Sequence, residues 1–139
     1  MSSFAQKKRQ FLAISALWAF LVLGSSFLSG SFTHRFLPTE FLHSLAHLGA
    51  YVFLAYFLAF YFRFERKLAF LRMTDGKLFC VTLGVCLAWG GLNEWIQAYE
   101  PGRVADWMDF AINGAGTLIG LAAFFIKDKL WRCRSEHSQ

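Results

Sequence analysis

Residues 41–62 read FLHSLAHLGAYVFLAYFLAFYF, an apolar and strongly aromatic run that contains no Asp, Glu, Lys or Arg. Such a run has no polar face to turn toward water. At about 1.5 Å per residue it crosses a hydrocarbon core of about 30 Å as a single helix. Three further blocks of comparable length lie on either side of it, over residues 11–29, 78–97 and 106–126. Together the four consume most of the 139 residues and leave no room for a separate soluble domain. The composition agrees, with 56% hydrophobic and 19% aromatic residues, 17 of them Phe, a surface suited to lipid and to inter-helix contact. The expected fold is all-α: one polytopic membrane domain over residues 1–139, with four transmembrane helices in a small bundle and a basic tail over 127–139.

Orientation follows from where Lys and Arg sit. Lys7, Lys8 and Arg9 precede the first block; Arg63, Arg66, Lys67, Arg72 and Lys77 lie between the second and third; Lys127, Lys129, Arg132 and Arg134 follow the fourth. The other two connections carry only Arg35 and Arg103. Both termini and the middle loop are therefore expected in the cytoplasm, and the segments around His34 and Pro101-Gly102 outside. The net charge of +5 is explained by these flanks and by anionic headgroups, so no nucleic-acid partner is expected. The basic start resembles a signal peptide, but its apolar stretch is longer than a signal core and three more follow, so a retained first helix is expected. The cysteines Cys80, Cys86 and Cys133 form no disulfide framework and read as free thiols. Thr39 is placed to cap the second helix, with Glu40 in its first turn.

Ionisable and amide groups inside spans cost roughly 2.5–3.5 kcal/mol each for charges at the helix centre, and here they gather toward the outer ends. His43, His47 and Tyr51 recur every four residues and share one face of the second helix. Asn93, Glu94 and Gln97 occupy the last outward turns of the third. On the fourth, Asp106, Asp109, Asn113, Gly116 and Gly120 form one stripe. Its two glycines make a small-xxx-small pair that admits a close helix neighbour, so the stripe faces the bundle interior. A polar pocket in the outer leaflet, with Arg103 near its mouth, is the simplest arrangement. A purely structural reading stays open beside it: Glu94 or Asp109 pairs with Arg103 to hold the hairpin, and Asn113 bonds across helices.

The run Glu94-x-x-Gln97-x-x-x-Pro101-Gly102-Arg103-x-x-Asp106-x-x-Asp109-x-x-x-Asn113-x-x-Gly116-x-x-x-Gly120 resembles the signature of the VanZ-like family, and His47-Leu-Gly-Ala-Tyr51 is similar to that family's His-x-x-x-Tyr segment. Together they cover residues 40–126. One departure is the pair His43-Ser44, where the family often carries Asp-Lys. The resemblance implies a bacterial inner-membrane protein, and a link to teicoplanin-type glycopeptide resistance or to envelope maintenance.

Three classes of function follow. In the first, an outward-facing site binds an envelope lipid or cell-wall precursor group. Arg103 holds a phosphate or carboxylate, and Glu94, Gln97, Asp106, Asp109, Asn113, His47 and Tyr51 complete the ligand set. In the second, an intramembrane enzyme acts on a lipid-linked phosphate or ester, with Glu94, Asp109 and His47 as candidate acid, base or nucleophile. The third is a structural protein that contacts another membrane protein, or copies of itself, through other surfaces. The types of Asp106, Asp109, Glu94 and His47 suit a divalent ion, but no metal and no cofactor is expected. The chain lacks HExxH and an activated Ser or Cys motif, so the enzyme class ranks below the binder.

Overall fold

A computed structural model describes residues 2–26, 40–65, 74–99 and 107–136, and these form four helices: α1 (Ser2–Ser26), α2 (Glu40–Glu65), α3 (Asp75–Gln97) and α4 (Trp107–Glu136). Local chemistry starts α3 sharply. The Thr74 hydroxyl accepts a hydrogen bond from the Lys77 amide at 3.2 Å, and Asp75 places a carboxylate in the first turn, where the helix dipole favours it. At the other end the Ala98 amide donates to the Glu94 carbonyl at 3.1 Å and closes the last turn.

Three helices contain segments long and apolar enough to cross a membrane: Phe41–Arg63, Asp75–Gln97 and Trp107–Arg134. In these segments only 22%, 28% and 33% of the most apolar window is buried within the bundle, so most of the apolar surface points outward. That is the inverse of a water-soluble bundle, and it suits lipid as solvent. Helix α1 has a shorter apolar part, Arg9–Gly24, so length and composition qualify three helices where four spans were expected. The rest of the first expected block, residues 27–29, lies outside the described residues, as does Thr39.

Helix α4 runs ten residues past the expected end at 126, into the basic segment. Those turns have partners. Lys127 donates to the Tyr56 hydroxyl at 3.0 Å with its ammonium 5.2 Å from the Phe60 ring centre, and Asp128 pairs with Arg132 one turn later.

Successive helices alternate in direction. Phe11 near the start of α1 stacks on Phe60 near the end of α2, with ring centres 5.1 Å apart, and the Trp18 indole donates to the Ala50 carbonyl at 2.9 Å. Helices α2 and α4 run parallel and share the largest interface, while among the described residues α1 touches α2 and α3 but not α4. The core centres on three helices, where Tyr51, Leu54, Ala55 and Ala59 of α2 meet Leu78 and Cys86 of α3 and Leu121 and Phe124 of α4, and α1 adds Val22 to it, with Trp18 and Ala19 packed alongside.

The α2–α4 seam depends on two glycines. A methyl group on Gly116 would lie 2.5 Å from the Leu48 carbonyl oxygen, and one on Gly120 would collide with the Val52 carbonyl. Leu48 and Val52 are one turn apart on α2, so each glycine seats against a backbone carbonyl of the facing helix.

One end of the bundle is tied by charge. The Arg63 guanidinium makes a two-pronged contact with the Asp128 carboxylate, its Nε to Oδ1 at 3.1 Å, and reaches Asp75 Oδ1 at 2.7 Å. Arg132 closes the ring through Asp75 Oδ2 at 3.5 Å and Asp128. One guanidinium thus joins α2, α3 and α4, and its planar fork suits that geometry.

Candidate functional site

The opposite end of the bundle gathers polar groups from three helices. Helix α2 starts there and presents His43, His47 and Tyr51 on one face. Helix α4 also starts there and presents Asp109 and Asn113, while α3 ends there with Asn93, Glu94 and Gln97. Asn113 is the hub. Its Oδ1 lies 2.9 Å from His47 Nδ1, and its Nδ2 donates to Glu94 Oε1 at 3.5 Å. A continuous line of contact therefore runs from α2 through α4 to α3. Asn93, Glu94, Gln97 and Asn113 are all buried, at 1%, 7%, 3% and 1% exposure. Buried amides and carboxylates remain in an apolar bundle when they are hydrogen-bonded, and this line supplies such bonds to Asn113 and Glu94.

One turn nearer the surface, His43 Nδ1 stands 3.6 Å from Asp109 Oδ2, and the His43 and His47 rings lie 4.7 Å apart. Tyr51 sits a turn deeper. Its hydroxyl is buried with no hydrogen-bond partner among the described residues. It lies over Gly90, where an added methyl group would come within 3.5 Å of the phenol oxygen. That is ordinary van der Waals contact, so Tyr51 packs closely on this part of α3.

A half-open pocket of about 520 Å³ meets this cluster. Its polar end is formed by His43, His47, Asn93 and Gln97, and its apolar flank by α1 and α2, with Trp18 and Phe53 among the lining. The volume falls within the range of roughly 300–1,000 Å³ typical of small-ligand sites.

Comparison of the chain with protein-family models, with curated proteins and with solved structures finds no match in any of the three. The reading of the site therefore rests on its own geometry.

The structure brings together His47, Asn113 and Glu94, with Gln97 at the adjoining pocket. It sets Asp109 against His43 and buries Tyr51 beneath them. Gly116 and Gly120 continue the Asp109–Asn113 stripe into the α2 contact. Arg103 and Asp106 lie outside the described residues, as do Pro101 and Gly102. Two features escaped sequence reasoning. The α1 wall of the pocket, formed by Trp18, Leu21 and Val22, carries no charged residue to single it out. The Arg63–Asp75–Asp128–Arg132 network was hidden because its basic members read as topology signals. Its within-helix trace, Asp128 four residues before Arg132, was the available clue.

Proposed function

We propose that this chain is a VanZ-like protein of the bacterial inner membrane, with α1 as a fourth span and both termini in the cytoplasm. Its outward-facing pocket binds an envelope lipid or the lipid-linked part of a cell-wall precursor. The observation that carries this reading is the two-sided pocket: aromatic and aliphatic flanks from α1 and α2 lead to imidazole and amide groups at one end. A lipid has the same division, an acyl or prenyl chain that prefers apolar walls and a headgroup that needs donors. Asn93, Gln97 and the two histidines supply donors at the headgroup level, and Arg103 is assigned to the phosphate. The exposed Trp95, Tyr99 and Trp107 ring the same end of the bundle, where aromatic side chains mark a membrane–water interface. The excess of Lys and Arg beyond the opposite end supports placing the pocket in the outer leaflet. The association with glycopeptide resistance or envelope maintenance fits a site facing the periplasm.

The test is native mass spectrometry of the full chain in detergent with polyprenyl phosphate and, separately, phosphatidylglycerol. Retention of either lipid that falls at least about tenfold in Gln97→Ala and Arg103→Ala supports the reading, a loss of about 1.4 kcal/mol in binding. Equal retention by the parent and both variants overturns it. Release of phosphate or of a cleaved lipid on incubation would move the assignment to the intramembrane enzyme.

A further inference from the structure

We propose that His43, His47 and Asp109 form a three-ligand site for a divalent transition ion of the zinc class, with its remaining coordination position turned toward the pocket. Each of the three residues offers one donor atom, and the three atoms lie within 4.8 Å of one another. His43 Nδ1 and Asp109 Oδ2, at 3.6 Å, are too far apart for a good hydrogen bond. They are close to the separation of about 3.4 Å that two ligands adopt when each lies about 2.0–2.1 Å from a tetrahedral ion. The two imidazoles sit on consecutive turns of α2, the i, i+4 spacing that places two histidines on one ion in helical zinc sites.

The surroundings strengthen the assignment. Metal-bound histidines usually donate their second ring N–H to a carbonyl or carboxylate, which fixes the ring and its tautomer. His47 has such a partner in the Asn113 carbonyl at 2.9 Å. With Nδ1 donating there, Nε2 carries the lone pair that an ion requires. Asn113 is oriented in turn by Glu94, so the buried His47–Asn113–Glu94 line has the form of an outer coordination shell. This gives Glu94 a positioning role and explains its place behind Asn113, outside the three-donor group.

The donor set chooses the ion. Two neutral imidazoles and one carboxylate suit zinc and its neighbours, whereas magnesium and calcium prefer oxygen ligands throughout. Three protein ligands leave a four-coordinate ion one position short, the arrangement of a site that meets a substrate or ligand. The side chains of His43 and Asp109 are 27% and 15% exposed, and both histidines line the pocket. A dication held by a single carboxylate keeps a net positive charge, which would draw a phosphate oxygen into the open position. That last step rests on the lipid reading; the metal site itself does not.

The test uses the full chain in detergent micelles, stripped with chelator. Exposed Cys80 and Cys133 are changed to Ser so that no thiolate competes. Cobalt(II) is added and its visible absorbance followed, then zinc is titrated by calorimetry, all without added lipid. The expected result is one ion per chain, with cobalt bands that zinc displaces. His47→Ala and Asp109→Asn should weaken zinc affinity by more than about 100-fold. Asn113→Ala, which leaves all three ligands in place, should weaken it by about 10- to 100-fold. His43→Gln serves where His47→Ala fails to fold, and unfolding of each metal-free variant identifies such a failure. No saturable uptake, or uptake indifferent to both His47→Ala and Asp109→Asn, overturns the site. Lipid capture by a chain that takes up no metal would sink this inference alone; metal uptake with no lipid capture would sink the lipid reading alone.

Discussion

The two ends of the bundle handle polar groups in opposite ways. At the basic end, Arg63, Arg132, Asp75 and Asp128 are formal charges arranged as a closed ring, each carboxylate facing two guanidiniums. At the other end the described groups are amides, imidazoles and the Glu94 and Asp109 carboxylates, linked in lines and bordered by a pocket. A closed ring of paired charges holds helices together and leaves little capacity for a ligand. An open line of donors and acceptors beside a cavity has that capacity. The difference suggests that polar residues in a membrane bundle should be judged by whether their bonds close on themselves, and only then by how many there are.

The largest expected effect lies at the closed end. Arg63→Ala leaves the Asp128 carboxylate, whose side chain is only 18% exposed, without its main partner. Removing one member of a largely buried pair costs about 3–5 kcal/mol. Because Asp75 and Arg132 are near half exposed, the lower figure of about 3 kcal/mol applies here. Reversible unfolding in mixed detergent measures it, and Arg63→Lys should recover only part of the loss because a single ammonium cannot span both carboxylates. A negligible change in Arg63→Ala would mean that the ring is ornamental and would break the comparison.

Next in size is the seam between the ends. Gly116→Ala forces α4 away from the Leu48 carbonyl, since helix backbone and not a flexible side chain occupies the space. Overpacking of this kind costs about 1–3 kcal/mol. Because Asn113 lies one turn before Gly116, the same shift should also lengthen the His47–Asn113 contact. Loss of stability with lipid retention intact would show that the seam and the site are uncoupled.

At the open end the expected stability effect is smaller. Glu94→Gln keeps an oxygen that accepts from Asn113 and replaces a buried carboxyl group with an amide of the same shape, so unfolding free energy should stay within about 1 kcal/mol of the parent. Because the contact with Asn113 is kept, metal capture in the same variant should fall by less than in Asn113→Ala. A stability loss as large as that of Arg63→Ala would place Glu94 in the scaffold and return the cluster to the structural reading.

Much of this arrangement was legible in the chain. The four-residue spacing of His43, His47 and Tyr51 and the stripe Asp109, Asn113, Gly116, Gly120 each define one helix face, and helix geometry turns spacing into a face without further information. Which face meets which was legible only through the glycines, because small residues mark close approach in lipid. The ionic ring was not legible. Arg63, Asp75 and Asp128 belong to three helices, and no spacing within one helix encodes a meeting among three. The meeting of His43 and Asp109 was not legible either, because it joins two helices and spacing within one helix does not encode it. The span count was limited by α1, whose apolar part is short enough that length alone does not decide its role.

The smallest expected effect tests whether the outward surface is truly solvent-facing. Gly84 lies mid-way along α3 with no atom within 4 Å of an added methyl group, unlike Gly116. With no clash to offset it, the gain in helix preference should make Gly84→Ala neutral or stabilising by at most about 1 kcal/mol. The same substitution thus carries opposite signs at two glycines of one bundle, and the sign depends only on what faces them. If Gly84→Ala instead lowers stability, and does so more at high protein concentration in a fixed amount of detergent, a second copy of the chain packs against that face. The surface read as lipid-exposed would then include an interface, and Gly84 would join Gly116 and Gly120 as a point of close helix approach.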